Sequence, residues 1–161
     1  MDGDCTAWTG HVIVCGLDGL GLRTLEQLRH TGVRVAVVED GADPRLLRVV
    51  DGWAVPRITG DSRLPEVLAR AGLAGAAALI CVQADDLHTL ETALLARELR
   101  PDLRLVAQIR NPAVERALAG ISVSVLDVAG LSAPSIVEAC LRTGSHEVTL
   151  AGVRFVAMTT V

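Results

Sequence analysis

A glycine-rich turn ends the first apolar run of the chain, in the stretch HVIVCGLDGLG at residues 11–21. Such a turn between a strand and a helix presents free backbone N–H groups that bind the phosphates of a nucleotide. Asp18 stands in the middle of the turn, where its carboxylate competes for these N–H groups and repels an anion. The turn is therefore either a nucleotide site that disfavours a diphosphate relative to a mononucleotide such as AMP, or a turn that keeps this shape without a ligand. The predicted turn residues are Gly16, Leu17, Asp18, Gly19, Leu20 and Gly21.

Three further segments end in groups that complement a nucleoside. Glu39 follows the turn by about twenty residues, the spacing of a carboxylate that accepts ribose hydroxyls and repels a 2′-phosphate. The TGD sequence at 59–61 offers backbone groups and one carboxylate near the expected adenine edge. Each feature also has a simpler interpretation, as a solvated loop acid or as a turn with a helix cap. The candidate binding residues outside the turn are Glu39, Asp40, Gly60, Asp61, Ser62, Val82 and Gln83.

The composition excludes several kinds of chemistry. The chain has no Lys and no Tyr, so it cannot form a Walker lysine site, a Schiff base or a Tyr–Lys hydride-transfer site. The histidines lack i, i+4 pairing, so we predict no metal site, and we predict no catalytic residue. A net charge of −4 and only three aromatic residues disfavour nucleic acid as a partner. Cys15 and Cys81 are interpreted as small hydrophobic residues or, if their strands are neighbours, as a redox pair.

The elements that must position these residues follow from the alternation of short apolar runs with amphipathic segments. The repeats predict a doubly wound, three-layer α/β sheet that is mainly parallel and Rossmann-like, with strand order 3-2-1-4-5-6. Its ligands would bind beyond the carboxyl ends of the strands, between strands 1 and 4. The expected strands lie at 11–16, 33–39, 53–59, 75–82, 103–109 and 122–126. The expected helices lie at 19–31, 43–50, from a cap at Asp61 or Ser62 to near Gly72, 85–99, 111–120 and 132–142.

The length of 161 residues suits one domain with a substantial core, since half of the residues are apolar. We expect an N-terminal tail at 1–10, the Rossmann-like domain at 11–142, and a strand-like tail at 143–161 that begins a further segment. No apolar stretch has the length of a bilayer span, and the N-terminus lacks the pattern of a signal peptide. We therefore expect a soluble cytoplasmic domain without direct membrane insertion.

The stretches at 11–39, 58–86 and 106–112 together resemble the domain that regulates the conductance of potassium, known as RCK, KTN or TrkA-N. The resemblance extends from about His11 to Leu141, and GDSRLPEVLARAGL at 60–73 is its most specific part. It implies a non-enzymatic Rossmann domain on the cytoplasmic side of a membrane channel or transporter subunit, at the inner face of the membrane. It also implies a homodimer or a higher ring, and NAD(H), AMP, ADP, ATP or no ligand in the cleft.

The chain departs from the pattern of this family at three positions. Asp18 replaces the second glycine of G-x-G-x-x-G, Thr89 stands where an Asn is frequent, and Gln108 replaces an Arg. Arg110 is a cation close to the last of these. Three functions stay open: a ligand-sensing regulator, a purely structural module of a tandem regulator, and an NAD-dependent oxidoreductase with His88 as its acid–base group. The helix at 132–142 packs either on a partner subunit or on its own sheet.

Overall fold

The computed structural model describes residues 3–118, 123–127, 132–133, 136–137, 145–150 and 153–158. The chain forms two compact units, Met1–Leu126 and Asp127–Val161. The strands of the first unit are β1 (Val12–Cys15), β2 (Val35–Glu39), β3 (Arg57–Thr59), β4 (Ala78–Cys81), β5 (Arg104–Gln108) and β6 (Val123–Leu126). Its helices are α1 (Gly19–His30), α2 (Pro44–Gly52), α3 (Pro65–Arg70), α4 (Asp86–Leu99) and α5 (Pro112–Leu118).

The six strands of the first unit form one sheet in the order β3-β2-β1-β4-β5-β6, and every pairing is parallel. This confirms the predicted fold class and strand order. The four residues of β1 and the five of β2 are all buried, as expected for central strands covered on both faces. Within the described residues of this unit, no helix combines the length and the apolar character that a membrane crossing requires.

Alternate side chains of the strands enter two separate cores, one on each face of the sheet. Ile13 and Cys15 pack in the core that also holds Leu68 of α3 and Ala93 of α4. Val12 and Val14 pack in the opposite core with Leu25 of α1 and Val50 of α2. This alternation has the period of two that a β-strand imposes, and it produces the predicted three layers.

Two expected elements are shorter than their sequence pattern. Strand β3 starts at Arg57 rather than at residue 53, because Trp53 ends α2 as its C-cap and Pro56 lacks an N–H for the sheet. Strand β4 starts at Ala78 rather than at residue 75, because Leu73–Gly75 form a 3-10 turn. An apolar run therefore overestimates the length of a strand where a helical turn contributes part of that run.

The expectation that Asp61 or Ser62 caps the third helix is wrong. Helix α3 begins after Leu64, which occupies the N-cap position without a side-chain hydrogen bond. The carboxylate of Asp61 accepts instead from the backbone N–H of Arg63 at 2.9 Å, inside the loop before the helix. The cap signal failed because the Pro at the first helical turn, not the acidic residue, determines where this helix begins.

The described residues at the start of the chain are attached to the sheet unit. Gly3 donates to the carbonyl oxygen of Arg57 at 2.7 Å, and Cys5 donates to that of Arg70 at 2.8 Å. The side chain of Cys5 is fully buried in a core. Residues 3–10 are therefore held by backbone hydrogen bonds and by apolar packing.

The described residues of the second unit include an antiparallel pair of strands, β7 (Ser145–Leu150) and β8 (Val153–Met158). These strands lie in the segment that was expected to be strand-like. Most of the helix expected at 132–142 lies outside the described residues.

Candidate functional site

An open cleft of about 510 Å³ lies at the carboxyl ends of the parallel strands. The loops after β1, β2, β3 and β4 all contribute to it, which is the position predicted from the strand order. Its described lining residues are Gly16, Leu17, Asp18, Gly19, Val38, Glu39, Asp40, Gly41, Ala42, Asp43, Leu46, Gly60, Ser62, Val82, Gln83, Ala84, Asp85 and His88.

Two glycines of the turn after β1 allow a close backbone approach. Gly16 has a φ of +103°, and a Cβ there would lie 2.9 Å from the backbone nitrogen of Gln83. A Cβ on Gly21 would lie 2.3 Å from the carbonyl oxygen of Gly16. Gly19 differs, because a Cβ at that position would meet no atom within 4 Å. The turn is therefore packed tightly against the end of β4 but is open toward the cleft at Gly19.

Asp18 is the N-cap residue of α1. Its backbone is extended, with φ −110°, and its Oδ1 accepts from the backbone N–H of Gly21 at 2.9 Å. A helix N-terminus presents unpaired N–H groups that bind a phosphate in nucleotide-binding turns. In this chain one of these donors is already satisfied by a carboxylate from the chain itself.

The same arrangement recurs at the two other helices that begin at the cleft. Asp43 caps α2 by accepting from the backbone N–H of Arg45 at 2.7 Å. Asp85 caps α4 by accepting from the backbone N–H of Leu87 at 3.0 Å. Both residues line the cleft, and neither is among the predicted binding residues. An Asp directly before each amphipathic segment was the signal that could have identified them.

The carboxylate of Glu39 is buried and extensively hydrogen-bonded. Its side chain is 3% exposed and its Oε1 accepts from Arg57 Nη1 at 3.0 Å. The same oxygen accepts from the hydroxyl of Thr59 at 2.9 Å, and Oε2 accepts from the backbone N–H of Ala42 at 3.0 Å. A carboxylate has about four acceptor positions, so about one remains for a further hydrogen-bond donor. The neighbouring side chain of Asp40 is exposed.

A network of neutral polar side chains, which we call the polar network, reaches the cleft through Ser62 and Gln83. The amide nitrogen of Gln83 donates to Ser62 Oγ at 2.9 Å, and Thr89 Oγ1 donates to Gln83 Oε1 at 3.2 Å. The hydroxyls of Ser62 and Thr92 lie 2.9 Å apart. All four residues are buried, and their mutual hydrogen bonds replace the hydrogen bonds to water that burial removes. We define the polar network as Ser62, Gln83, Thr89 and Thr92.

His88 connects the polar network with the rim of the cleft. Its Nε2 lies 3.1 Å from Ser62 Oγ and 3.3 Å from Asp61 Oδ1. In a catalytic triad the acid and the nucleophile bind opposite ring nitrogens, whereas here both contact the same nitrogen. Asp61 therefore cannot orient this imidazole to take a proton from Ser62. The Arg63 guanidinium beside Asp61 lowers the pKa of that carboxyl to about 2.

The structure brings together ten of the thirteen predicted binding residues at the cleft. Leu20, Gly21 and Asp61 are not among its lining residues. Arg110, the predicted nearby cation, donates from its guanidinium to the carbonyl oxygen of Ala84 at the rim. Among the described residues that line the cleft, His88 is the one side chain that can carry a positive charge. The assignment of these residues to ligand binding stays a prediction.

Cys15 and Cys81 are directly paired positions of the neighbouring strands β1 and β4, and both are buried. A hydrogen bond with Cys81, together with burial, raises the pKa of the Cys15 thiol well above its usual range. The burial of both side chains and the raised pKa of Cys15 favour their interpretation as small hydrophobic residues. Their strands are neighbours, as the redox-pair interpretation requires, so that interpretation also stays a prediction.

A comparison with known families matches residues 12–127 to the TrkA-N domain. An uncharacterized protein of Methanothermus fervidus is 29% identical over 101 residues, which are 61% of this chain. The chain spans only 15% of the length of this curated relative.

Solved structures share the architecture at low sequence identity. The TrkA-N domain of inner membrane protein ybaL from Escherichia coli has a TM-score of 0.73 and 18% identity, over 82% of this chain and 97% of that one. The Kef CTD of Shewanella denitrificans in its AMP-bound form has a TM-score of 0.71 and 19% identity, over 83% and 80%. The GsuK channel bound to NAD has a TM-score of 0.71 and 18% identity, over 88% and 26%. These likenesses show the fold.

Proposed function

Because the chain belongs to the TrkA-N domain family, we propose that it is a ligand-sensing regulatory domain of a potassium channel or transporter. The match over residues 12–127 is the observation that carries this proposal. Its partner is a membrane subunit, and the domain acts at the cytoplasmic face of the membrane as a homodimer or a higher ring. It performs no catalysis of its own.

The open cleft supports a role in ligand sensing. Four loops of the chain meet there, and its volume of about 510 Å³ lies in the range of small-molecule sites. Two proteins of the same fold were solved with AMP and with NAD. We infer an adenine nucleotide or nucleoside as the class of ligand for this chain.

A ligand in this cleft regulates a partner only through a difference in affinity between two arrangements of the assembly. The lining residues come from separate loops, including those that start α1, α2 and α4. A ligand that contacts several of these loops holds them at one spacing. The arrangement of subunits that permits this spacing is then favoured, and the membrane subunit responds to it.

A substitution that fills the cleft provides the test. Gly19 lines the cleft and has open space around its Cβ position, so we expect Gly19→Trp to occupy the site without disturbing the fold. Gly52 ends α2, has equally open space and does not line the cleft, so Gly52→Trp is the matched control. A thermal-shift screen would use NAD, NADH, ATP, ADP, AMP and adenosine. Stabilisation of the wild type and of Gly52→Trp, but not of Gly19→Trp, is expected.

The transport role needs its own measurement. We expect the rate of potassium uptake to change in cells that lack the chain. The wild type and Gly52→Trp should restore the original rate, and Gly19→Trp should not restore its response to the ligand. An unchanged uptake rate after deletion would contradict the proposed regulation of potassium transport, whatever the cleft binds.

The capped helix starts favour a second candidate, a purely structural module of a tandem regulator. In that case Asp18 closes the turn, and no nucleotide or nucleoside stabilises the wild-type chain. A gain of nucleotide binding in Asp18→Gly would then identify the carboxylate as the cause. Both candidates share the fold and the membrane partner, so only the ligand response separates them.

A further inference from the structure

The charges that line the cleft are almost all negative. Five carboxylates line it, whereas His88 is the one described lining residue that can carry a positive charge. The carboxylate of Glu39 is compensated by Arg57 at 3.0 Å. The other four carboxylates form no ion pair with any of the described residues that line the cleft. They belong to Asp18, Asp40, Asp43 and Asp85.

Three of these carboxylates also occupy the donors that a phosphate would need. Asp18, Asp43 and Asp85 each accept from a backbone N–H in the first turn of α1, α2 or α4. The favourable field at a helix start acts on the nearest anion, and in each case that anion is a side chain of this protein. A ligand phosphate must therefore displace a carboxylate or bind beside it.

The remaining lining of the cleft is neutral. Ser62 and Gln83 present polar atoms that are held within the polar network. Leu17, Val38 and Val82 provide buried apolar surface next to them. Apolar walls with a few fixed polar groups suit an uncharged base and its ribose.

We propose that this cleft selects an uncharged nucleoside over nucleotides that carry a pyrophosphate, and that Asp18 is the residue that determines this selection. The inference rests on the proposed ligand-sensing function and specifies its ligand. Asp18 has this role because its carboxylate lies in the turn between β1 and α1, where the backbone of a nucleotide-binding turn approaches the phosphates. Asp43 and Asp85 extend the negative field over the other helix starts.

Titration calorimetry on the full chain tests the proposal with adenosine, AMP, ADP and NAD. We expect adenosine to bind the wild type most tightly, AMP less tightly, and ADP and NAD at least about tenfold more weakly than adenosine. The discrimination should decrease as salt is added, because salt screens the repulsion between the carboxylates and the ligand phosphates.

Asp18→Asn isolates the charge of the side chain. Asparagine is as good an N-cap residue as aspartate, so the start of α1 is retained while the charge is removed. We expect the affinity for ADP to rise about tenfold and that for adenosine to stay within about twofold. Asp102→Asn is the matched control, since it removes the same charge just before β5, at the amino ends of the strands and away from the cleft. Its affinities should equal those of the wild type.

Two results would overturn the proposed preference for an uncharged nucleoside while leaving the proposed ligand-sensing function intact. One is binding of ADP or NAD to the wild type as tightly as adenosine. The other is an unchanged ratio of ADP to adenosine affinity in Asp18→Asn, with a melting temperature that shows a folded protein. A lack of binding by all four ligands, in the wild type and in both variants, would overturn this inference and the ligand-sensing function together.

Discussion

The two sides of the cleft use hydrogen bonds in different ways. On one side, the loops after β1 and β2 place carboxylates on helix starts, where Asp18 accepts from Gly21 and Asp43 accepts from Arg45. On the other side, neutral groups of the polar network bond to one another. The carboxylates of the first side cap helices and leave that side negatively charged. The polar network is neutral and bonded within itself, and the one lining carboxylate next to it, that of Asp85, caps α4. A Rossmann sheet can therefore keep an open cleft at the carboxyl ends of its strands while backbone N–H groups at its helix starts are bonded to its own side chains.

The largest effect is expected from the tight packing of the charged side. Gly21→Ala places a methyl group 2.3 Å from the carbonyl oxygen of Gly16. We expect it to lower the free energy of unfolding by about 3 kcal/mol, because backbone rather than a flexible side chain must move. Gly19→Ala, two residues earlier and with open space, should change this free energy by less than about 0.5 kcal/mol. Urea denaturation measures both, and equal effects would refute the packing described for the turn.

The next largest effect tests the neutral side. Ser62→Ala removes a buried hydroxyl that bonds with Gln83 and Thr92. We expect a loss of about 2 kcal/mol in the free energy of unfolding, since the remaining polar groups stay buried with fewer partners. A double-mutant cycle with Thr92→Val should give a coupling energy of about 1 kcal/mol. Additive effects would mean that the two hydroxyls do not act as one network.

A smaller effect is expected for the cap on α1. Asp18→Ala deletes the acceptor of the Gly21 N–H and should cost about 1 kcal/mol of stability. Asp18→Asn should retain most of that stability, which separates the cap from the charge. A loss of stability in Asp18→Asn as large as in Asp18→Ala would contradict this separation. Chemical denaturation of both variants under the same buffer conditions provides the measurement.

The smallest effect concerns the rim beside His88. The pKa of Asp61 is lowered to about 2 by Arg63, so its ionised form is favoured in the folded chain. Its contribution to stability is present above the ordinary pKa of 3.8 and is lost as the pH falls toward 2. We expect the melting temperature of Asp61→Asn to depend less on pH in this interval than that of the wild type. Identical pH profiles would show that the pair contributes nothing to folding.

The fold could be predicted from sequence because each strand carries its own signal. The apolar runs around Val14 and Val37 are continuous, and a glycine or an aspartate marks the adjoining helix ends. The limits of β3 and β4 were harder to predict, because residues 53–55 and 73–75 complete helical turns through backbone hydrogen bonds that leave no clear sequence pattern.

The chemistry of the site was predictable in part. The position of Asp18 in the turn was sufficient to expect a competitor for the phosphate donors. The partners of Glu39 could not be predicted, because Arg57 and Thr59 reach it only through the parallel pairing of β2 with β3. The polar network was missed for the same reason, since Ser62 and Thr92 belong to different repeats that only tertiary packing joins.

The pairing of β1 with β4 also has a consequence for folding kinetics. The first three strands and the last three are each continuous in sequence, and β1 and β4 are the neighbours that join these two halves. Contacts between distant parts of a chain form late, because their loop-closure entropy must first be overcome. The cleft lies over this junction, and its lining residues come from both halves. We expect the ligand proposed above to slow the separation of the two halves as its concentration rises, because it would contact loops from both.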